Sequence, residues 1–481
     1  MAYMKDSAGK RLDSFEVADA AKYRKRVSGR DLSPAGETTQ AGAATIGAWT
    51  ATSAITTPRK WPSVTNSGSV AKVSTANFTY SGAANLVPYG AAYPDYLYVT
   101  AKSIKNGTLG MPMVVEFMHY GTGFDLLAKG IPGFYFRISV NGQVVGSVPT
   151  SSNGSNTILP VTFATAATRR IRIETSGGPF GGIQTAPTDA VWKANVFGPR
   201  IIVAGDSYTQ GTGAELAGGA GSWVRTFANA LGLTDVWGSG VGGTGYMNPG
   251  PDMKMRDRLQ QDVINYAPDY VIWAMGHNDT SYTQAQVQAE ALACFQAVKT
   301  ALPKCVQIVT SPLWGPGVSS FTPGLFGARD GIKAAAAQLG LPFVDLMEIP
   351  LASAGVSTTT TSAVTSAGYA TISTADVVPI GSTIHIGTYP NGERAVVTNV
   401  SGVGPFTLTM DVSLHGTSYP VGTAVREVGS SFFTGSGNVG NLKGNGNCDV
   451  FLASDAAHPT QAGHQALGIA VATQIAQYGL I

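Results

Sequence analysis

The sequence predicts an α/β domain, with a parallel sheet and helices on both of its faces, accompanied by two β-rich segments. Two observations support this. After Pro199, short apolar strands alternate with helix candidates, the order that builds a parallel sheet. Before Pro199, and again over 352–430, the chain shows short β-branched or aromatic segments separated by Gly, Pro and Asn-Gly turns.

Composition narrows the class of protein. A chain of 481 residues suggests about three domains. Only 12% of the residues are charged and the net charge is +2, which argues against a nucleic-acid binder, a long coiled coil and a charge-rich disordered tail. The three cysteines cannot all pair, and the six histidines lack metal-ligand spacing. We therefore expect no disulfide framework, no metal and no cofactor.

Residues 1–60 are expected to form an N-terminal arm and linker, since a charged opening gives way to Gly-, Ala-, Thr- and Ser-rich sequence without a sustained period. The first 30 residues lack the apolar core of a secretory signal. No apolar run approaches the 18 or more residues of a membrane span. The sequence thus predicts a soluble protein without a signal peptide.

Residues 61–198 are predicted to form a β-sandwich, because several short strands follow one another with frequent turns, among them 97–104, 114–119, 124–130 and 158–163. The segment 134–148 is typical of a hairpin, since Asn141-Gly142 accepts the positive φ of a tight type I′ turn. In 169–175 isoleucines alternate with charged residues, as in a half-buried strand.

The α/β domain is predicted over 199–351 and 431–481. Its strand and helix candidates alternate until the Thr/Ser/Val-rich segment 352–430, which we interpret as a small inserted β-domain. The predicted strands are 199–207, 270–276, 306–312 and 342–346, and the predicted helices are 221–232, 283–302, 328–339 and 459–478.

Three short motifs in this domain carry candidate chemistry. Ser207 ends a parallel strand, where open α/β sheets bind ligands, and becomes a nucleophile if a base removes its proton. Asp455 can hold Nδ1–H of His458 and leave Nε2 free to take that proton. Asn278, in the Gly-x-Asn-Asp motif Gly276-His-Asn-Asp279 after another strand, can donate an N–H to an oxyanion. Each motif alone is equally explained by a turn or a helix cap.

Together with Gly240-Val-Gly-Gly-Thr244, these motifs follow one another in the order found in the SGNH (GDSL-type) serine hydrolases, which the sequence resembles. The resemblance implies a flavodoxin-like SGNH-hydrolase domain. It implies that Ser207 is the nucleophile, His458 the general base and Asp455 the residue that orients it. The oxyanion hole would consist of the N–H groups of Ser207 and Gly243 and the amide of Asn278. Gly242 replaces Gly243 if the register slips by one residue.

The expected activity is that of a serine esterase working through an acyl-enzyme. A β-sandwich before the catalytic domain resembles the arrangement in carbohydrate esterases of this family, which implies O-acetyl groups on a cell-surface polysaccharide as the substrate. Two alternatives stay open. One is a lipid or thioester hydrolase of the same family, and the other is a receptor-binding tail protein with a catalytically silent scaffold.

The opening sequence YMKDSAGKRLDSFEV and the inserted segment around 379–411 resemble modules of bacteriophage tail proteins. This resemblance implies a location in a virion tail or outside the cell, with the arm contacting other tail proteins. Tail appendages of this kind are often trimers, although no heptad or collagen-like stretch supports a trimer here.

Overall fold

The structure is a computed structural model. It describes residues 44–67, 70–81, 86–89, 98–102, 109–111, 113–151, 154–195, 198–214, 221–250, 253–313, 323–347, 355–365, 368–387, 393–411, 414, 418–428, 451–453, 455 and 457–481. Most of the predicted arm, the hairpin expected at Asn391-Gly392 and Cys448 lie outside these residues. No described helix is long and apolar enough to cross a membrane.

The N-terminal part folds into β-structure. A two-stranded ribbon joins β3 to β4, and antiparallel pairing connects the other twelve strands into one sheet with the path β11-β10-β12-β9-β13-β7-β6. The strands are β1 (Thr45–Ile46), β2 (Arg59–Pro62), β3 (Val64–Ser67), β4 (Val70–Val73), β5 (Thr79–Ser81), β6 (Leu86–Tyr89), β7 (Tyr98–Lys102), β8 (Leu109–Met111), β9 (Met113–Lys129), β10 (Tyr135–Val140), β11 (Gln143–Pro149), β12 (Asn156–Thr175), β13 (Phe180–Thr185) and β14 (Ala190–Lys193).

Two strands are much longer than the sequence pattern indicates. The predicted strands 114–119 and 124–130 are parts of the 17-residue β9, and 158–163 and 169–175 are parts of the 20-residue β12. Gly121 interrupts the apolar pattern but not β9. A Cβ at this glycine would lie 1.9 Å from Asp189 Oδ2, so the position is a close packing contact and not a turn.

The hairpin of β10 and β11 is confirmed, with Asn141 at φ 51° and Gly142 at φ 85°. Buried Phe78 makes edge contacts with the rings of Phe117 and Phe180 at 5.5 and 5.2 Å in the core. Strand β1 pairs with β12, so part of the segment assigned to the arm belongs to this sheet. The sandwich and the domain boundaries stay predictions.

The α/β part contains one parallel sheet of five strands in the order β16-β15-β17-β18-β19. Strands and helices alternate along the chain as the sequence predicts. They are β15 (Ile201–Gly205), α1 (Ser207–Gln210), α2 (Trp223–Leu231), β16 (Val236–Gly240), α3 (Met255–Asp262), β17 (Tyr270–Ala274), α4 (Gln284–Ala301), β18 (Val306–Thr310), α5 (Pro323–Leu339), β19 (Phe343–Val344) and α6 (Gln461–Gln477), with 3-10 turns at Ile264–Tyr266 and His277–Asp279.

Alternate residues of the buried strands point to two separate cores. Ile201 and Val203 pack with residues of α2 and α6, whereas Ile202 and Ala204 pack with residues of α3, α4 and α5. This confirms helices on both faces of the sheet. The helix α3 is absent from the sequence prediction, because its sequence MRDRLQQD offers only two large apolar side chains.

Between β19 and α6 in the chain lies a six-stranded antiparallel arrangement, in the order β20-β25-β22-β23-β24-β21. It has a core of its own that includes Ile384, Val397 and Leu408. The strands are β20 (Ser357–Thr359), β21 (Thr371–Thr374), β22 (Thr383–Ile386), β23 (Glu393–Ser401), β24 (Phe406–Met410) and β25 (Ala424–Val428).

Candidate active site

Ser207 follows the carboxyl end of β15, which lies between β16 and β17, where the order of the strands reverses. Asp206 precedes it as the N-cap of α1, and its Oδ1 accepts the N–H of Tyr208 at 3.1 Å. Ser207 is the first residue of α1, so its own N–H has no acceptor within the helix. Only 7% of Ser207 is exposed, which places its hydroxyl in a largely desolvated position.

His458 and Asp455 reach Ser207 from the segment before α6. His458 Nε2 lies 2.9 Å from Ser207 Oγ, and His458 Nδ1 lies 2.6 Å from Asp455 Oδ2. The second carboxylate oxygen of Asp455 accepts the backbone N–H groups of Ala457 and His458 at 3.0 and 2.9 Å. Residues 251 positions apart in the chain are thus brought into one hydrogen-bonded row, as the sequence predicts.

The pKa of Asp455 favours its charged form, as the hydrogen bond to His458 requires. Partial burial by itself raises the pKa of the carboxyl, but the hydrogen bonds from His458 and from the Ala457 N–H outweigh it and hold the pKa below its ordinary value. Asp455 therefore stays charged at neutral pH and accepts a hydrogen bond from the Nδ1–H of His458, which leaves Nε2, facing Ser207, as the nitrogen that can take a proton.

Two buried side chains, Tyr208 and His464, hold the segment that carries Asp455 and His458. The Tyr208 hydroxyl donates to the Ala457 carbonyl, and its buried ring lies 5.8 Å from that of His458. Buried His464 accepts the Trp223 N–H at Nδ1 and donates to the Thr212 carbonyl from Nε2 at 2.9 Å. Burial lowers the pKa of His464 to about 4, so its ring is neutral at physiological pH.

The turn after α1 also requires glycine. Gly213 has φ +90°, and a Cβ there would lie 2.2 Å from the carbonyl oxygen of Pro459, the residue after His458. Close backbone contact between this turn and the histidine segment keeps His458 next to Ser207.

The loop after β16 carries the predicted glycine donor. The N–H of Gly242 donates to Gln210 Oε1 at 2.7 Å, whereas the Gly243 N–H makes no hydrogen bond within the described part of the chain. A Cβ at Gly242 would lie 3.6 Å from Ser207 Cβ, which places this glycine pair beside the serine. The arrangement favours Gly243 over Gly242 as the group available to an oxyanion.

Asn278 and Asp279 belong to the 3-10 turn after β17. The Asn278 amide uses one N–H on the Thr244 carbonyl, at 2.9 Å, and has a second N–H to offer. Asp279 is fully buried and accepts three backbone N–H groups, those of Tyr246, Met247 and Asn248, at 2.8, 3.0 and 2.9 Å.

Burial raises the pKa of both acidic residues below the site. It raises the pKa of Asp279 despite its three N–H donors. For Asp206 it raises the pKa to about 7, with a contribution from the charge of Asp279, while the Tyr208 N–H and the guanidinium of Arg258 act in the opposite direction. Burial therefore favours the protonated form of both carboxyl groups relative to an exposed aspartate.

Several residues of the site have no signal in the sequence analysis. Gln210 and Tyr208 act through contacts with residues distant in the chain, and Arg258 lies on the helix that was not predicted. Thr244 was named only as the last residue of the Gly240–Thr244 block. Asp279 was recognised only as part of the Gly-x-Asn-Asp motif. No group of His, Cys, Asp and Glu side chains able to hold a metal ion occurs among the described residues.

Comparison with known proteins gives weak structural likeness and one family match. A family two carbohydrate esterase from Clostridium thermocellum in complex with cellohexaose has 17% identity and a TM-score of 0.44, covering 56% of this chain and 88% of its own. An acetyl xylan esterase from the rumen bacterium Butyrivibrio proteoclasticus has 14% identity and a TM-score of 0.41, covering 57% and 88%. A salicylyl-acyltransferase from a tetracycline biosynthetic pathway has 15% identity and a TM-score of 0.45, covering 56% and 82%.

No curated protein matches the chain. Residues 203–368, which include Ser207, Gly243 and Asn278 but not Asp455 or His458, match the model of the GDSL-like Lipase/Acylhydrolase family.

Proposed function

We propose that the protein is a serine esterase in which Ser207, His458 and Asp455 form the catalytic triad. The observation that carries this proposal is the hydrogen-bonded row Ser207 Oγ–His458 Nε2 and His458 Nδ1–Asp455 Oδ2, at 2.9 and 2.6 Å. A serine, an imidazole and a carboxylate in this order activate the hydroxyl for attack on an acyl carbon.

The chemistry follows from the hydrogen bonds. Ser207 Oγ attacks the ester carbonyl while His458 Nε2 takes its proton, and Asp455 stabilises the imidazolium that forms. The N–H groups of Ser207, Gly243 and Asn278 would bind the oxyanion of the tetrahedral intermediate. His458 then gives its proton to the leaving alkoxide. A water molecule, deprotonated by the same imidazole, hydrolyses the acyl-enzyme and restores the serine.

The proposed substrate is an O-acetyl group on a cell-surface polysaccharide. The row of three side chains serves any accessible ester, and the choice of an acetylated glycan comes from the sequence resemblance to carbohydrate esterases. A role in a virion tail, with the arm of residues 1–60 contacting other tail proteins and a trimeric assembly, also comes from resemblance alone. The described residues include only 44–60 of that arm.

Hydrolysis of p-nitrophenyl acetate by wild type and Ser207→Ala tests the activity. We expect turnover by the wild type and a loss of about 10⁴-fold or more in the variant, because the remaining groups cannot form an acyl-enzyme. Ser139→Ala is the matched control, since this buried hydroxyl in β10 has no hydrogen-bond partner among the described residues. Equal activity of Ser207→Ala and wild type would refute Ser207 as the nucleophile.

The substrate class is tested with the same pair of proteins. Acetate release from acetylated polysaccharide, lost in Ser207→Ala, supports the glycan esterase. Faster hydrolysis of p-nitrophenyl octanoate than of the acetate favours the lipid hydrolase, and faster cleavage of acyl-coenzyme A favours the thioesterase. Binding of the polysaccharide without release of acetate from any ester favours a receptor-binding scaffold.

A further inference from the structure

We propose that Arg258 is a positioning residue that holds the oxyanion donors in register with Ser207. This inference rests on the proposed esterase function, because it concerns the same site. Arg258 lies on α3 and touches neither Ser207 nor His458. Its guanidinium instead binds the backbone segments that lead to the three proposed donors.

The burial of Arg258 is the first indication of a specific role. The residue is only 1% exposed, and its Nη1 donates to the equally buried Asp262 Oδ2 at 2.6 Å, one helical turn further on. Burying an ion pair costs solvation free energy that its attraction often fails to recover. Apolar side chains could replace a purely stabilising pair with little loss of folding free energy. We therefore look for a function in the other hydrogen bonds of the guanidinium.

The first of these contacts join the carboxyl ends of two strands. Arg258 Nη2 donates to the carbonyl of Gly205 at 2.7 Å, and that carbonyl also accepts the Val241 N–H at 3.2 Å. Nη1 lies 3.4 Å from the carbonyl of Ser239. Gly205 is two residues before Ser207, and Ser239 leads into the glycine loop. One side chain thus sets the spacing between the nucleophile and that loop.

The second contact fixes the turn that presents Gly243. Arg258 Nη2 lies 3.3 Å from Thr244 Oγ1, whose hydroxyl donates to the Val241 carbonyl at 2.7 Å. The Thr244 N–H closes the same turn onto Val241 at 3.3 Å. The backbone carbonyl of Thr244 accepts the Asn278 amide. Through Thr244, the guanidinium influences both Gly243 and Asn278.

Only a planar fork can make these contacts together. The guanidinium offers five N–H groups in fixed directions, whereas an ammonium is a single point charge on a flexible stem. In Arg258→Lys the charge and the pairing with Asp262 can persist, but Gly205, Ser239 and Thr244 cannot all be held. Displacement of catalytic groups by about 1 Å costs roughly 100-fold in rate.

The test measures turnover per reactive site of Arg258→Lys. Active serines are counted by covalent labelling with a fluorophosphonate, and kcat and KM are measured with p-nitrophenyl acetate. We expect kcat per labelled site to fall roughly 10- to 100-fold with KM within about twofold of wild type. A merely structural role would lower the number of labelled sites and leave the turnover of each site unchanged.

Arg200→Lys is the matched control. Arg200 precedes β15 at its opposite end, pairs with Asp235 Oδ2 at 3.0 Å and donates to the Tyr266 carbonyl at 3.0 Å. It therefore has the same combination of an aspartate and a backbone carbonyl, remote from the site. We expect its turnover per labelled site to equal that of the wild type.

Thr244→Val provides a second route, since it removes one contact of Arg258 and leaves the Asp262 pair intact. We expect a smaller loss in kcat per site, and no further loss when it is added to Arg258→Lys. Wild-type turnover per site in folded Arg258→Lys overturns the inference, and so does wild-type turnover in Thr244→Val if the lysine variant does not fold. A wild type that hydrolyses no ester overturns the proposed function and this inference with it.

Discussion

On one side of Ser207, the loop with the proposed oxyanion donors is held by Arg258 and Asp279, side chains with almost no exposure to solvent. On the other side, Asp455, which orients His458, has half of its side chain exposed. Hydrogen bonds in a low dielectric are stronger and more costly to break than those that water can replace. The comparison predicts that the oxyanion side tolerates change poorly and the acid–base side better.

The largest effect in this comparison is expected for Asn278→Ala. The change removes a proposed oxyanion donor and also the hydrogen bond to the Thr244 carbonyl. We expect kcat for p-nitrophenyl acetate to fall about 10²–10³-fold, or about 2.7–4 kcal/mol in the barrier, with little change in KM.

The control for Asn278 is Asn265→Ala. Among the described residues, the exposed Asn265 side chain accepts one hydrogen bond, from Gln260. Asn265→Ala should leave kcat unchanged. If kcat falls less than threefold in Asn278→Ala, Asn278 is not an oxyanion donor. The buried side of the site is then no more sensitive to substitution than the exposed side.

His464 is a buried side chain beside the exposed side of the site, and the pH dependence of stability tests its contribution. In the folded protein the pKa of His464 is lowered to about 4, while an imidazole in the unfolded chain has a pKa near 6.5. Between these values the unfolded state binds more protons, so stability falls as the pH falls. The expected loss between pH 7 and pH 4 is about 3 kcal/mol from this residue.

Urea unfolding of wild type and His464→Gln at several pH values between 7 and 4 measures this contribution. The wild type should lose more stability than the variant over this range, although the variant starts lower because it loses a buried hydrogen bond to Thr212 or Trp223. Parallel losses in the two proteins would show that His464 does not titrate as its burial requires.

The features that the sequence predicts correctly are those that depend on local patterns. The alternating strands and helices, the Asn141-Gly142 hairpin and the capped helix α4 follow from local patterns, and the structure confirms them. Ser207, His458 and Asp455 were predicted from two motifs, and the structure brings them within hydrogen-bond distance. Their catalytic roles stay predictions.

The supporting residues depend on tertiary contacts that no local pattern contains. Arg258 belongs to a short polar helix whose sequence resembles any exposed helix, yet it is buried because α3 packs against the ends of β15 and β16. The lengths of β9 and β12 were missed for a similar reason. Glycines that look like turn signals in the sequence are close packing contacts in the sheet.

The smallest effect on kcat is expected on the exposed side, for Asp455→Ala. Water can enter and accept the Nδ1–H of His458, so we expect kcat to fall about 10²-fold, the low end of what a positioned acid–base group contributes. In Asp455→Asn, the side-chain oxygen can still accept hydrogen bonds from the N–H groups of Ala457 and His458. The amide NH₂ then takes the place of Oδ2 and faces Nδ1 of His458. That donor favours the tautomer with the proton on Nε2, which cannot accept the proton of Ser207. Asp455→Asn should therefore be slower than Asp455→Ala, although it is the more conservative change. The reverse order, measured as kcat per fluorophosphonate-labelled site, would contradict the tautomer argument, because it would mean that the amide of Asn supports His458 better than water does.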